Sequence, residues 1–367
     1  MVEGPDAGLG VSLVLGARVV VGRGAEADLR LGDANVSRVH CAFRCEPLGV
    51  VVEDLGSRHG TFLDDARLLR ARRAPEGALT RLGDTRIEVR WLGAAPEVPG
   101  YALDAVLGAG GSGVVYAGRH LASGAPVAVK VLDARADALT RRRFRREVEL
   151  RSRLTHPALA RILASGEAGG RSYLIRELVS GRTLEERIAA DGALGWRALA
   201  PLALALAAGL GAAHAQGVVH RDVKPGNVVL GADDRSPRLI DFDLARDVAA
   251  AAERTRLTET GAGLGTLLYA APEQLLTARD AGPPADVYGL GVTLRHALTG
   301  RPPFADVAPE AFFEAALRRG LGPLRPAPPD LPRPVADVLA RAVALEPGGR
   351  YADGAAFGAA LRAAAAR

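Results

Sequence analysis

The chain is poor in several residue types that most proteins use freely. Among 367 residues it holds two lysines, Lys130 and Lys224, and two asparagines, Asn35 and Asn227. Cysteine also occurs only twice, at Cys41 and Cys45. A lone Cys-x3-Cys supplies too few ligands for a four-coordinate zinc site, and one pair makes no disulfide framework. Both are expected to be small core residues of a reduced, cytoplasmic protein. Long apolar runs are missing as well. The longest, Ala198–Ala213, contains Pro201 and is shorter than the ~20 residues of a membrane span, so it reads as a buried core helix. The opening Met-Val-Glu-Gly-Pro-Asp lacks the basic region of a secretory signal. No membrane partner is expected, and no repeat of fixed period is visible.

What is present fits ordinary globular usage, with 48% hydrophobic and 24% charged residues, in a chain long enough for two or three domains. Arginine takes the surface role that lysine usually shares. The formal net charge of +5 alone would favour an anionic partner, but the arginines are scattered among acids. The densest run, Arg141–Arg146, is followed directly by Glu147 and Glu149. A solvated surface is therefore expected, with no nucleic acid as partner.

Two textures divide the chain. From Val11 to about Leu92, short β-like runs (Val11–Leu15, Val19–Val21, Val50–Glu53, Arg86–Leu92) alternate with Gly, Asp and Ser clusters, the pattern of an all-β sandwich over residues 8–93. A Pro-bearing linker over 94–99 follows. The remainder, 100–367, begins with strands (Tyr101–Val106, Val114–Arg119, Val127–Leu132) and a charged helix near Thr140–Leu154. Strands resume at Ile162–Leu163 and Tyr173–Leu178, before helices at Leu184–Ala190, Ala198–Gln216, Ala285–Thr299 and Ala336–Ala344. The expected architecture is multidomain, a sandwich followed by a bilobal α+β unit with lobes 100–178 and 179–367.

Gly108-Ala-Gly-Gly-Ser-Gly113 matches G-x-G-x-x-G, a weak signal alone because glycines also mark ordinary turns. Context decides. A dinucleotide-binding loop opens a helix, and a Walker loop ends in Gly-Lys-Ser/Thr. Here Val114-Val-Tyr116 continues as a strand, so the loop is a hairpin tip whose amides can close over phosphates. Val127-Ala-Val-Lys130, His220-Arg-Asp-Val-Lys-Pro-Gly-Asn227, Leu239-Ile-Asp241-Phe242, Pro272-Glu273, Asp286-Val-Tyr-Gly-Leu-Gly and Arg350 follow in order. With these residues the region resembles the bacterial, Hanks-type relatives of eukaryotic serine/threonine protein kinases.

That resemblance implies an ATP site at Leu107, Gly108, Gly110, Gly111, Gly113, Val115, Ala128, Lys130, Glu177 and Val179. Lys130 would contact phosphates and pair with Glu147, or else Glu149. Asp222 would orient the substrate hydroxyl and accept its proton, and Lys224 would neutralise the transferring phosphate. Asn227 and Asp241 would hold Mg2+ or Mn2+. Thr266 would bond Asp222, as goes with serine or threonine substrates, and Glu273 would pair with Arg350. Both lysines of a lysine-poor chain fall on the two catalytic lysine positions, where arginine's wide planar group is no substitute for a compact charge. Arg221 precedes the catalytic Asp, which implies control by phosphate on the activation segment, with Thr255, Thr258 and Thr260 as candidates.

Two positions depart from the pattern. Asp-Phe-Gly is Asp241-Phe-Asp243 here, and Arg176 occupies the usually apolar back of the adenine pocket, where a buried guanidinium needs a partner. A phosphopeptide-binding scaffold with a nucleotide-binding pseudokinase is therefore the alternative reading. The N-terminal region resembles a forkhead-associated (FHA) domain at Val21-Gly22-Arg23, Ser37-Arg38-Val-His40, Asp54-Leu-Gly-Ser57-Arg-His-Gly-Thr61 and Leu82-Gly83-Asp84. The resemblance implies phosphothreonine-containing partners held by Arg23, Ser37, Arg38, Arg58 and His59, with His59 standing where relatives carry Asn, and His40 structural.

Overall fold

The computed structural model describes residues 2–3, 18–46, 49–75, 77–89, 97–110, 113–132, 148, 151–231, 233–241, 267–276, 281–308, 311–324 and 327–366. Between Ala95 and Pro96 the chain passes from one compact unit to a second. The expected strand Val11–Leu15 and most of the expected helix Thr140–Leu154 lie outside the described residues.

The first unit is built from two five-stranded sheets. One runs β1 (Val2–Glu3), β10 (Thr85–Glu88), β9 (Leu79–Leu82), β6 (Thr61–Leu63), β7 (Ala66–Arg67). The other runs β3 (Leu29–Arg30), β2 (Arg18–Gly22), β4 (Cys41–Glu46), β5 (Gly49–Asp54), β8 (Arg72–Ala74). Alternate residues face inward, as a strand's period of two requires. Val21, Phe43 and Val52 of one sheet meet Leu63, Leu82 and Ile87 of the other in a single core, which is the construction of a sandwich. Cys41 belongs to that core, and burial pushes its thiol pKa up. Cys45, four residues on, is only half-buried, outside that core cluster. The expectation of two core cysteines thus holds for one of them.

The second unit opens with an antiparallel sheet ordered β11 (Tyr101–Gly110), β12 (Gly113–His120), β13 (Pro126–Val131), β15 (Arg171–Glu177), β14 (Ile162–Ala168). Val127, Val129, Val131, Tyr173 and Ile175 pack on one face. The opposite face carries Ala128, Lys130, Leu174 and Arg176, because side chains alternate. Beyond the sheet come α1 (Leu184–Asp191), α2 (Trp196–His214), α3 (Pro272–Leu276), α4 (Pro283–Thr299), α5 (Arg333–Ala342) and α6 (Gly354–Ala365), with a hairpin of β16 (Val228–Leu230) and β17 (Pro237–Leu239). A capping box starts α1: Thr183 accepts from the Glu186 amide while Glu186 accepts from that of Thr183, satisfying two otherwise orphaned donors.

Helix α2 has the expected length but sits two residues earlier than Ala198–Gln216. It starts at Trp196 and spans 19 residues, so by length and composition alone it could cross a bilayer. Packing supplies the reading that length does not. Leu199, Leu202, Leu206 and Leu210 are buried in one core with Val287, Leu290, Leu294, Leu339 and Leu361. Helix α6 lies so close to α2 that a Cβ on Gly354 would stand 2.5 Å from the Gly211 nitrogen and 2.6 Å from the Ala207 oxygen. Gly354→Val should therefore force the helices apart and destabilise the unit by about 1–3 kcal/mol. Thermal unfolding followed by circular dichroism would show a lowered midpoint; an unchanged midpoint would refute the close packing.

Candidate functional site

The hairpin β16–β17 brings distant residues together. Val228 pairs with Leu239, and the Ile240 amide donates to the Asn227 carbonyl at 2.8 Å. Asn227 therefore sits at the open end of the hairpin beside Ile240, with Asp241 next along. Asn227 directs its side-chain N–H groups at the Asp222 carbonyl (2.8 Å) and at Asp222 Oδ2 (2.9 Å). Lys224 Nζ approaches the same Oδ2 at 2.9 Å. Two donors on one oxygen fix the rotation of the Asp222 carboxylate.

The loop carrying Asp222 is held from beneath. Asp286, on α4 and 1% exposed, accepts from the amides of His220 (2.6 Å) and Arg221 (2.7 Å), and its Oδ2 lies 2.9 Å from His214 Nε2. Gln274 Nε2 donates to the Arg221 carbonyl at 2.9 Å. Clamped on both sides, Arg221 adopts φ 68°, and Asp241 adopts φ 54°, conformations that non-glycine residues rarely take without such support. His220 is fully buried. Its Nδ1 accepts from the Asp222 amide, so the proton resides on Nε2, which donates to the Ile240 carbonyl at 3.0 Å. Burial pushes its pKa down, against the neighbouring Asp286 and Asp222 charges. One neutral imidazole thus ties the loop of Asp222 to the strand end that carries Asp241.

On the sheet, Lys130 is 9% exposed on β13, opposite Val115 of β12 and Leu174 of β15. Gly110 pairs with Gly113 across the tip of the β11–β12 hairpin, the strand-loop-strand form expected of the glycine loop. Glu177 braces the turn between the lobes through Arg161, at 3.4 Å, and Arg238. Leu107 is exposed, and Val179 is half-buried just beyond Glu177. Arg176 finds the partner its burial demands in Asp241, with Nη1 3.0 Å from Oδ1. Arg350 forms a bidentate pair with Glu273 at 2.8 and 2.9 Å, and also donates to the carbonyls of Pro284, Ala344 and Leu345. Gly111, Glu147, Glu149, Asp243, Thr255, Thr258, Thr260 and Thr266 lie outside the described residues.

The residues at the hairpin end suit a hard divalent cation. Asp241 offers carboxylate oxygens, and Asn227, its N–H groups spent on Asp222, turns its amide oxygen the other way. Among the described residues no group of three or more His, Cys, Asp or Glu could hold a metal unaided. An oxygen-only partial set of this kind is completed by phosphate oxygens and water.

In the first unit, Arg23, Ser37, Arg38, Arg58 and His59 lie on loops at one end of the sandwich, with the four larger side chains exposed. The Arg23 and Gly24 amides donate to the carbonyls of Ser37 and Arg38, both at 2.9 Å. The Arg58 amide donates to Ser37 Oγ at 3.0 Å, and His59 Nδ1 donates to the Asn35 carbonyl at 2.9 Å. Buried His40 accepts at Nδ1 from the Ser37 amide and donates from Nε2 to the Gly60 carbonyl at 3.2 Å. Asp54 accepts from the Ser57 and Thr61 hydroxyls at 2.6 and 2.5 Å. Burial alone would raise its pKa, but these bonds and two backbone amides outweigh that and lower it. Asn35, not among the expected site residues, links this end to Asp84 at 2.9 Å. His214 and Gln274 in the second unit were likewise not marked by any motif.

Residues 101–353 match the model of the protein kinase domain, and residues 19–83 that of the FHA domain. The chain is similar to the serine/threonine-protein kinase PknL of Mycobacterium tuberculosis, 37% identical over 269 residues covering 72% of this chain and 65% of the relative. PknA of the same species is 36% identical over 270 residues, with coverages of 72% and 61%. The chain thus spans at most 65% of the length of these relatives. Among solved structures, the kinase domain of M. tuberculosis PknI aligns with a TM-score of 0.57 and 30% identity, over 74% of this chain and 99% of that one. The crystal structure of Rad53 1–466 in complex with AMP-PNP aligns over 96% of this chain and 93% of that one, with a TM-score of 0.58. At 21% identity that likeness speaks for the fold alone.

His40 makes the loop end of the sandwich acid-sensitive. Burial pushes its pKa below the ordinary 6.5, so the unfolded chain binds a proton that the folded unit refuses. Its contribution to stability is complete above about pH 6.5 and is lost as pH falls below that value. Hydrogen-exchange protection factors for amides 36–60 of the full chain should decline in that window. His40→Gln should flatten the decline; an equal slope in both proteins would exclude His40 as the titrating group.

Proposed function

The chain belongs to the protein kinase family, and from that premise we propose that it transfers the γ-phosphate of ATP, with Mg2+, to serine or threonine of protein partners that its FHA domain recruits through phosphothreonine. The observation that carries this reading is the convergence of Asn227 and Lys224 on one oxygen of Asp222. A carboxylate so fixed can orient a hydroxyl and accept its proton as the oxygen attacks phosphorus. Lys224, 2.9 Å from that carboxylate, would balance charge on the transferring group. Asn227 and Asp241 would hold the divalent cation, which when bound neutralises phosphate charge. Lys130, on the same face of the sheet as Ala128 and Arg176, would bind the α- and β-phosphates. The kinase relatives lend no support to the non-catalytic alternative.

Autophosphorylation on Thr255, Thr258 or Thr260 is part of the proposal, since Arg221 beside the catalytic carboxylate offers a phosphate a cationic partner. A cytoplasmic setting is part of the proposal too. The FHA reading rests on the exposed Arg38 and Arg58 flanking the half-buried Ser37, donors that suit a phosphate dianion.

Incubation with labelled ATP and Mg2+ followed by phosphosite mapping should find phosphate on serine or threonine, including the segment 255–260. Asp222→Asn should lower incorporation about a thousandfold without loss of nucleotide binding. If the wild-type chain incorporates none with either Mg2+ or Mn2+, the catalytic proposal is wrong. A phosphothreonine peptide should bind the full chain with an affinity that Arg38→Ala reduces roughly ten- to a hundredfold, the worth of a charge-assisted hydrogen bond. Equal binding of the unphosphorylated peptide would sink the docking role.

A further inference from the structure

Arg176 and Arg350 are both buried arginines, 8% and 2% exposed, yet they are satisfied very differently. Arg350 engages both oxygens of Glu273 and three main-chain carbonyls. Arg176 stands 3.0 Å from Asp241 Oδ1, but its Nε and Nη1 make no hydrogen bond among the described residues. Charge, not directional fit, holds that pair. Its position also differs. Arg176 lies on β15 opposite Ala128 of β13, on the cleft face with Lys130, and the acid it neutralises is the one a metal would need.

We propose that Arg176 competes with the nucleotide-bound divalent cation for the Asp241 carboxylate. Arg176 is thus a positioning residue: it parks Asp241 at the end of the β16–β17 hairpin when no metal is bound, and it raises the cation concentration needed to load the site. The inference rests on the reading of Asp241 as a metal-holding carboxylate. Its physical basis is simple. A guanidinium within 3.0 Å of a carboxylate oxygen and a divalent cation on the same group repel each other in a poorly screened cleft. Metal binding must therefore weaken the ion pair, and by linkage the ion pair must weaken metal binding by the same factor. A buried guanidinium without an anion is itself costly, so the pair is restored when the metal leaves. The under-bonded geometry keeps that exchange reversible; a guanidinium saturated like that of Arg350 would not release its acid.

The test measures binding, not turnover. A fluorescent ATP analogue is titrated onto the full chain in EDTA and at increasing Mg2+, and the Mg2+ midpoint for tightened binding is read by anisotropy. In Arg176→Met that midpoint should fall about tenfold or more, while affinity in EDTA changes little. Arg176→Lys keeps a cation and should stay close to wild type. In an Asp241→Asn background the Arg176→Met shift should vanish. An unchanged midpoint in folded Arg176→Met overturns the proposal, as does an equal change in affinity with and without metal, which marks a role in pocket shape only. Should the Met variant fail to fold, Arg176→Gln removes the same charge and decides the same question. If wild-type binding does not respond to Mg2+ at all, the metal-site reading itself fails, a result distinct from an unshifted midpoint.

Discussion

The architecture of the second unit hangs on one buried carboxylate. Asp286 is buried in the first turn of α4, and it accepts the amides of His220 and Arg221 while lying against His214 Nε2. A buried carboxylate is tolerated only when its oxygens are matched with donors. Here two of those donors are the backbone of the loop that carries Asp222. The loop therefore cannot relax without stranding a charge inside the protein, and Arg221 is kept in a left-handed conformation as a consequence. The position of Asp222, Lys224 and Asn227 is inherited from a helix that carries none of the three.

Both units use the same device to join loops. In each, a fully buried histidine accepts a main-chain N–H at Nδ1 and donates from Nε2 to a carbonyl of a second loop: Ser37 and Gly60 around His40, Asp222 and Ile240 around His220. The neutral ring is the right choice because only that form offers one donor and one acceptor. Burial keeps both rings neutral. A positively charged ring would present two donors and break one of the two links, so the shift in pKa and the geometry have a common cause.

Much of this was legible in the sequence, because strands, hairpin tip and helices follow local periodicity, and because rare residues stand out. The scarcity of asparagine that marks Asn227 marks Asn35 equally, and Asn35 proves to anchor its loop to Asp84. Other features depend on contacts between residues far apart in the chain. Nothing near Arg176 announces Asp241 as its partner, and Gln274 and His214 carry no motif. Helix α2 has the expected length but begins and ends two residues before the expected Ala198–Gln216. Cys45 is half-buried while Val50, opposite it on β5, belongs to the core, a difference composition cannot convey.

The placement of the amines has a practical side. Apart from the chain terminus, the primary amines are those of Lys130 and Lys224, one nearly buried on the cleft face and the other beside Asp222. Acylating reagents, aldehyde fixatives and enzymatic side-chain acetylation, which scatter over the exterior of an ordinary protein, find in this one only those two lysine side chains and the terminal amine. Amine-directed labelling would thus give few products, each assignable to one position, in place of the mixture that a lysine-rich protein gives.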